Sequence, residues 1–184
     1  MSSRICLYHT GYQEIRRPDI RFGRRNADFG QGFYLTRDSG FALRWARERP
    51  GMSAYVNCYE LDLSGLRIHR FRRDEAWYDY IFRNRAGGAD ALPEADVIIG
   101  PIANDTIYDT FGVLTSGLMD REESLRMLSL GPAHEQTVIK SDRAAAQLTW
   151  ISARVLTSSE IAGGRALAKE EEADYQRALA SIFQ

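Results

Sequence analysis

Three histidines, His9, His69 and His134, stand too far apart in the sequence to argue a metal centre, and the chain has no CxxC pair, HExxH helix or Walker loop. The stretch best suited to chemistry is Asp28-Phe29-Gly30-Gln31-Gly32-Phe33-Tyr34-Leu35-Thr36. Two glycines one residue apart let the backbone turn tightly and approach a ligand, and the strand they launch displays Tyr34 at a fixed position. A Rossmann reading fails on context, because the third glycine of the dinucleotide fingerprint is missing and no strand precedes the stretch. Trp45 lies eleven residues beyond Tyr34, on the helix expected to follow, so the two rings can wall a slot for a flat ring such as nicotinamide. The same spacing also suits two core aromatics.

These residues need a frame. Ile5 to Tyr8 reads as a strand ending at His9 and Thr10, and Phe33 to Thr36 as a second strand. Asp38 then caps a helix carrying Phe41 and Trp45. Tyr55 to Leu63 and Leu66 to Phe71 read as strands joined at Ser64 and Gly65 in a hairpin. Asp74 caps a helix through Arg85 that Gly87 and Gly88 stop, and Ala95 to Ile99 is a buried strand ending at Gly100 and Pro101. Helices are expected around Thr106 to Ser116 and Arg121 to Leu128, the second with Asp120 and Glu123 at capping-box spacing. Thr137 to Lys140 and Leu148 to Leu156 are strands around a short helix, Asp142 to Gln147. The sum is an α+β domain over residues 1–156. From Ser158 the composition shifts to Ala, Glu, Lys and Arg, so residues 157–184 read as a C-terminal helical extension, interrupted at Gly163 and Gly164. Its charge run, Lys169 to Asp174, is expected to be a solvated face or a contact for a partner.

Composition sets the boundaries. With 44% hydrophobic and 27% charged residues the chain falls outside the signature of disorder. A net charge of -1 gives no whole-protein attraction to nucleic acid or anionic membrane, although Arg16, Arg17, Arg21, Arg24 and Arg25 form a local patch able to attract phosphates. Cys6 and Cys58, in apolar runs, read as small buried hydrophobes and not as a disulfide framework. No leader-like N-terminus and no run near the roughly 20 apolar residues of a membrane span are seen, so a cytoplasmic location is expected.

Three ordered segments carry a resemblance: Leu7-Tyr8-His9-Thr10, then Phe29 to Tyr34 with Trp45, then Glu135-Gln136-Thr137-Val138-Ile139. Together they resemble the motifs of the His-Tyr-Glu class of ADP-ribosyltransferases, the class of diphtheria toxin and the poly(ADP-ribose) polymerases. More closely, the run through Tyr34, Gly100 to Asp105 and the third motif are similar to a small bacterial domain family of unknown function, placed in that superfamily and often encoded in toxin–antitoxin-like settings. The resemblance covers roughly residues 5 to 150. It implies a split β-sheet core with flanking helices and NAD as co-substrate. By the same resemblance His9 holds a ribose hydroxyl, the Thr10 backbone meets the nicotinamide amide, and Gly32 and Phe33 accompany Tyr34, which stacks on the nicotinamide with Trp45 as second wall. Thr10 stands where relatives often carry Gly, and Ala42 where many carry a small hydroxyl residue.

The third motif departs most. The family's glutamate stabilises positive charge on the ribose as nicotinamide leaves, and here that position aligns with Gln136, which keeps a hydroxyl contact but carries no charge. Glu135 is next to it, but successive strand side chains point to opposite faces, so both cannot face the pocket without a bulge. A unit charge about 4 Å away is worth on the order of 4 kcal/mol at an effective dielectric near 20. His134 shares the face of Gln136 and is a candidate for target contact or a loop residue. Asn104 and Asp105 lie just past a strand end in a Gly- and Pro-marked turn, where binding residues collect, and Asp105 equally suits a helix cap. The expected activity is transfer of ADP-ribose from NAD to a protein, nucleic-acid or small-molecule acceptor. NAD hydrolysis and a catalytically weak NAD-binding or protein-interaction module are the alternatives. The toxin-like setting implies a small antitoxin partner that blocks the pocket.

Overall fold

The computed structural model describes residues 3–103 and 121–182. The architecture is α+β, built on two sheets. In the first, β3 (Tyr55–Asp62) lies between β1 (Arg4–Gly11) and β7 (Leu148–Val155), all antiparallel. The second has the order β2–β6–β5–β4: β6 (Glu135–Ile139) runs antiparallel to β2 (Phe33–Leu35) and β5 (Val97–Pro101), and β4 (Ile68–Arg70) pairs parallel with β5. The described helices are α1 (Ser39–Arg44), α2 (Glu75–Arg85), α3 (Arg121–Leu128), α4 (Asp142–Ala146) and α5 (Ser158–Ile182).

Local chemistry starts three helices, at the expected caps Asp38 and Asp74 and at Ser141, which was not singled out from sequence. Asp38, Asp74 and Ser141 accept hydrogen bonds from the amides of Phe41, Trp77 and Ala144, each worth about 1 kcal/mol. The apolar runs of β5 and β6 are buried on both faces. Val97, Ile99 and Ile139 join Leu7, Tyr59 and Leu61 of the first sheet in one cluster, whereas Ile98 and Val138 pack with Trp77, Ile81 and Phe29 beneath α2. That two-sided burial explains why Val97 to Ile99 is an unbroken apolar run and not an alternating one, and why β6 turns wholly apolar at Val138 and Ile139.

One contact joins the sheets where it matters. Tyr8 donates its amide to the Thr36 carbonyl at 2.8 Å, and Thr36 returns the bond at 3.0 Å. This bridge sets β1 beside β2, and pairing of Tyr34 with Val138 sets β2 beside β6.

Several expectations are corrected. The β3 and β4 segments do not form a hairpin: both edges of β3 are taken by β1 and β7, so β4 crosses to the second sheet and pairs with β5. His9 lies within β1, which extends to Gly11 because it pairs with β3 over its whole length. Gly163 and Gly164 do not interrupt α5. Instead Gly164 is buried where a Cβ would stand 2.7 Å from the Leu43 carbonyl oxygen, so glycine lets α5 approach α1. Cys6 is exposed and Cys58 half-buried, both free, because they lie on the opposite face of β1 and β3 from Leu7 and Tyr59. His69 packs edge-on against Phe71, with ring centroids 4.4 Å apart. The expected helix around Thr106 to Ser116, and Asp120, lie outside the described residues. No helix among the described residues is long and apolar enough to cross a membrane.

Candidate functional site

A cavity of about 360 Å³ opens at the junction of β1, β2 and β6, and His9, Thr10, Tyr34, Trp45 and Gln136 all border it. Three stretches far apart in the chain thus converge through the Tyr8–Thr36 bridge and the β2–β6 pairing.

Tyr34 is held by its own loop. Its hydroxyl donates to the Gly30 carbonyl at 2.6 Å and accepts from the Phe29 amide at 3.0 Å. The loop is pinned in turn by Lys140 Nζ on the Phe29 carbonyl, 2.6 Å, and Asn84 Nδ2 on the Asp28 carbonyl, 3.0 Å. Burial, reinforced by the Asp28 charge, pushes the phenol well above its ordinary range, so it stays neutral. The hydroxyl is committed to the backbone, and the ring is what the residue offers to the cavity.

His9 Nδ1 lies 2.7 Å from the Tyr34 carbonyl oxygen. A carbonyl only accepts, so Nδ1 carries the proton and Nε2 presents a lone pair. Burial holds the imidazole below its ordinary pKa, with the Tyr34 bond opposing, so the ring is neutral at pH 7. Phe33 supports it from 4.5 Å.

Gln136 is 5% exposed, and its Nε2 has no hydrogen-bond partner. A buried donor left unmade costs about 1–3 kcal/mol, and a ligand oxygen in the cavity would relieve that cost. Glu135 is exposed and pairs with Pro101 at the strand start, so the glutamine and not the glutamate borders the cavity.

The other expected residues fall in different places. Thr10 Oγ1 donates to the Ala42 carbonyl at 2.6 Å, tying β1 to α1. Trp45 ends α1 edge-on to Phe41, centroids 5.4 Å apart. Gly32 and Phe33 do not border the cavity. A Cβ on Gly32 would stand 2.6 Å from Val138 Cγ1, so this glycine admits β6, and Phe33 packs in the core. Asn104 and Asp105 lie outside the described residues.

Asp28, Arg85, Arg24, Ala27 and Ile102 also border the cavity; the sequence points to Asp28 at the head of the glycine-bearing stretch, to Arg24 within the arginine patch and to Ile102 within the Gly100 to Asp105 segment, but to no site role for Arg85 or Ala27. Arg85 Nε donates to Asp28 Oδ1 at 2.7 Å, with both side chains nearly buried. Fifty-seven residues separate them, so no local pattern announces the pair.

A second cleft, about 420 Å³, continues from the first, sharing Trp45 and Ile102 as walls. His134 lies there, stacked on Phe41 at 4.2 Å, and its Nε2 is 3.2 Å from a Glu171 oxygen. Glu171 also pairs with Arg44, which holds its carboxyl below the usual range.

Chemically, the first cavity can pack a flat ring on Tyr34, accept from a hydroxyl at His9 Nε2 and donate to an oxygen at Gln136. Nothing among curated proteins or solved structures matches the chain significantly. One family model matches residues 5–150, which contain every strand of the second sheet and the whole first cavity. On that match the chain belongs to the family described as a protein of unknown function, DUF3990.

Proposed function

We propose that the cavity takes the nicotinamide-ribose half of NAD and that the protein transfers ADP-ribose from NAD to an acceptor. The observation that carries this reading is the meeting of His9, Tyr34, Trp45 and Gln136 at one cavity, with the Gln136 amide buried and unpartnered. These are the residues that the resemblance to His-Tyr-Glu ADP-ribosyltransferases assigns to NAD. The volume, at the lower end of the roughly 300–1,000 Å³ of small-molecule sites, suits half of the dinucleotide.

The residues have separate tasks. Tyr34 gives the nicotinamide a fixed aromatic face, because its hydroxyl anchor prevents the ring from turning away. His9 Nε2 accepts from a ribose hydroxyl, its tautomer set by the Tyr34 carbonyl. Gln136 Nε2 donates to a ribose oxygen. In the transfer, the bond between the ribose anomeric carbon and the nicotinamide nitrogen breaks and nicotinamide leaves with the electron pair. The acceptor's oxygen or nitrogen bonds to that carbon, and its proton passes to solvent. Gln136 supplies a dipole where a carboxylate would supply a charge, so the chemical step is slower than a glutamate would allow. A reducing cytoplasmic location suits the two unbridged cysteines.

Incubation with NAD, alone and with cell lysate, followed by chromatography of released nicotinamide, tests the reading, with Tyr34→Ala and Gln136→Ala as controls. Release that requires lysate and vanishes in both variants is expected. Release without lysate points to hydrolysis. The uncharged Gln136 favours one second reading, a module that binds NAD without turning it over, and NAD binding without any release would establish it.

A further inference from the structure

The second cleft differs from the first in charge. Arg44, Arg47, Arg73, Arg165 and Lys169 border it, against the carboxylates of Glu171 and Glu172. Glu171 is committed to Arg44 and His134. Among the described residues no carboxylate lies within 4.0 Å of the other four cations. Arg73 is fixed, its guanidinium donating to the carbonyls of Ser129, Gly131 and Pro132 at 2.8 Å, and its Nε is buried without a partner, as is Arg44 Nε. Burial without a counter-charge draws the Arg73 guanidinium below its ordinary pKa.

Much of this wall comes from α5. Arg165, Ala168, Lys169 and Glu172 recur at helical spacing on one face, directed to the cleft, and all lie beyond the family match at residue 150. Gly164, against the Leu43 carbonyl, brings that face close. Several guanidinium groups that have no carboxylate partner among the described residues, beside a half-buried aromatic shared with the first cavity, form the combination that holds a phosphate backbone and stacks a base.

We propose that this cleft is the acceptor site and that it takes a phosphate-bearing nucleotide or single-stranded oligonucleotide, its phosphates on Arg47, Arg73, Arg165 and Lys169 and a base against Trp45. The proposal rests on the NAD reading of the first cavity for its acceptor role. The transfer is the one written above, with the nucleophile an oxygen or nitrogen of the nucleotide, whose proton goes to solvent.

Fluorescence anisotropy of a labelled single strand of about 12 nucleotides, titrated with the full chain, tests it. Saturable binding is expected, weakening with salt at a log–log slope of about -0.7 for each phosphate neutralised. The double variant Arg165→Glu/Lys169→Glu, at two exposed positions and checked for an unchanged melting temperature, should lose at least about tenfold in affinity. If the double variant melts early, Lys169→Gln alone should still lower the salt slope. Displacement of the strand by cytidine monophosphate at similar concentration assigns the cleft to free nucleotides, and displacement only by unlabelled strand assigns it to a polymer. Equal binding of polyglutamate, salt-insensitive binding, or no loss in either variant overturns the proposal. Calorimetry with NAD on the same preparation separates the two readings. NAD binding without strand binding removes the acceptor site alone, and strand binding without NAD binding removes the NAD reading and the acceptor role with it.

Discussion

Where the cavity at Tyr34 is shaped by strands, the cleft beyond Trp45 is shaped largely by helices, and the two differ in how their recognition groups are held. His9 and Tyr34 are neutral and fixed by backbone hydrogen bonds, with the loop behind them pinned by Lys140 and Asn84. In the cleft, Arg165 and Lys169 are exposed side chains on α5, beyond the family match. The first arrangement is preorganised and belongs to the part of the chain that the family shares. The second combines Arg44, Arg47 and Arg73 of that part with charge from a segment outside it. The cavity and the cleft can therefore differ in what they recognise, although Trp45 and Ile102 belong to both.

The sharpest way to break this contrast is to put charge into the neutral cavity. Gln136→Glu should raise the rate of nicotinamide release by up to roughly a thousandfold, from on the order of 4 kcal/mol of charge stabilisation at about 4 Å. Little change or a loss would mean that the site is tuned for glutamine. Tyr34→Phe keeps the ring but deletes the anchor on Gly30 and Phe29. It should lower stability by about 1–3 kcal/mol in denaturant melts while costing less NAD affinity than Tyr34→Ala. Gly164→Val forces a side chain against the Leu43 carbonyl. A loss of about 1–3 kcal/mol is expected, with strand binding in the cleft weakened more than NAD binding in the cavity.

The smallest effect is that of pH. Burial lowers the His9 pKa in the folded protein, whereas the unfolded chain takes up its proton near the ordinary value of 6.5. Unfolding therefore binds a proton below that pH, and stability should fall as pH drops from about 6.5 toward the lowered folded value. Melting temperature measured from about pH 7.5 to 5.5 should decline less in His9→Gln than in the unaltered protein. Equal slopes would show that the histidine is not held neutral.

Sequence spacing made much of this legible, but unevenly. Capping residues at Asp38 and Asp74 mark helix starts because the signal is local. The pairing of β4 with β5 was invisible, since which strand edge is free depends on the whole sheet. At the site, His9, Thr10, Tyr34, Trp45 and Gln136 could be assembled from motif order, but Gly32 and Phe33 proved to support the cavity without facing it. Asp28 and Arg85 carry no local pattern that pairs them. Glycines at 163 and 164 suggested a break, whereas a packed neighbour turns one of them into a contact. The Lys169–Asp174 run reads as a solvated face until α1 places Arg44 opposite Glu171.

Calorimetric titration of NAD into the protein and into Gln136→Leu goes to the central claim. Leucine removes the buried, unpartnered amide without adding charge. Saturable binding that weakens by about tenfold in the variant, the equivalent of one lost hydrogen bond of about 1.4 kcal/mol, is the result predicted. No saturable binding to the unaltered protein, or equal affinity in the two, would contradict it.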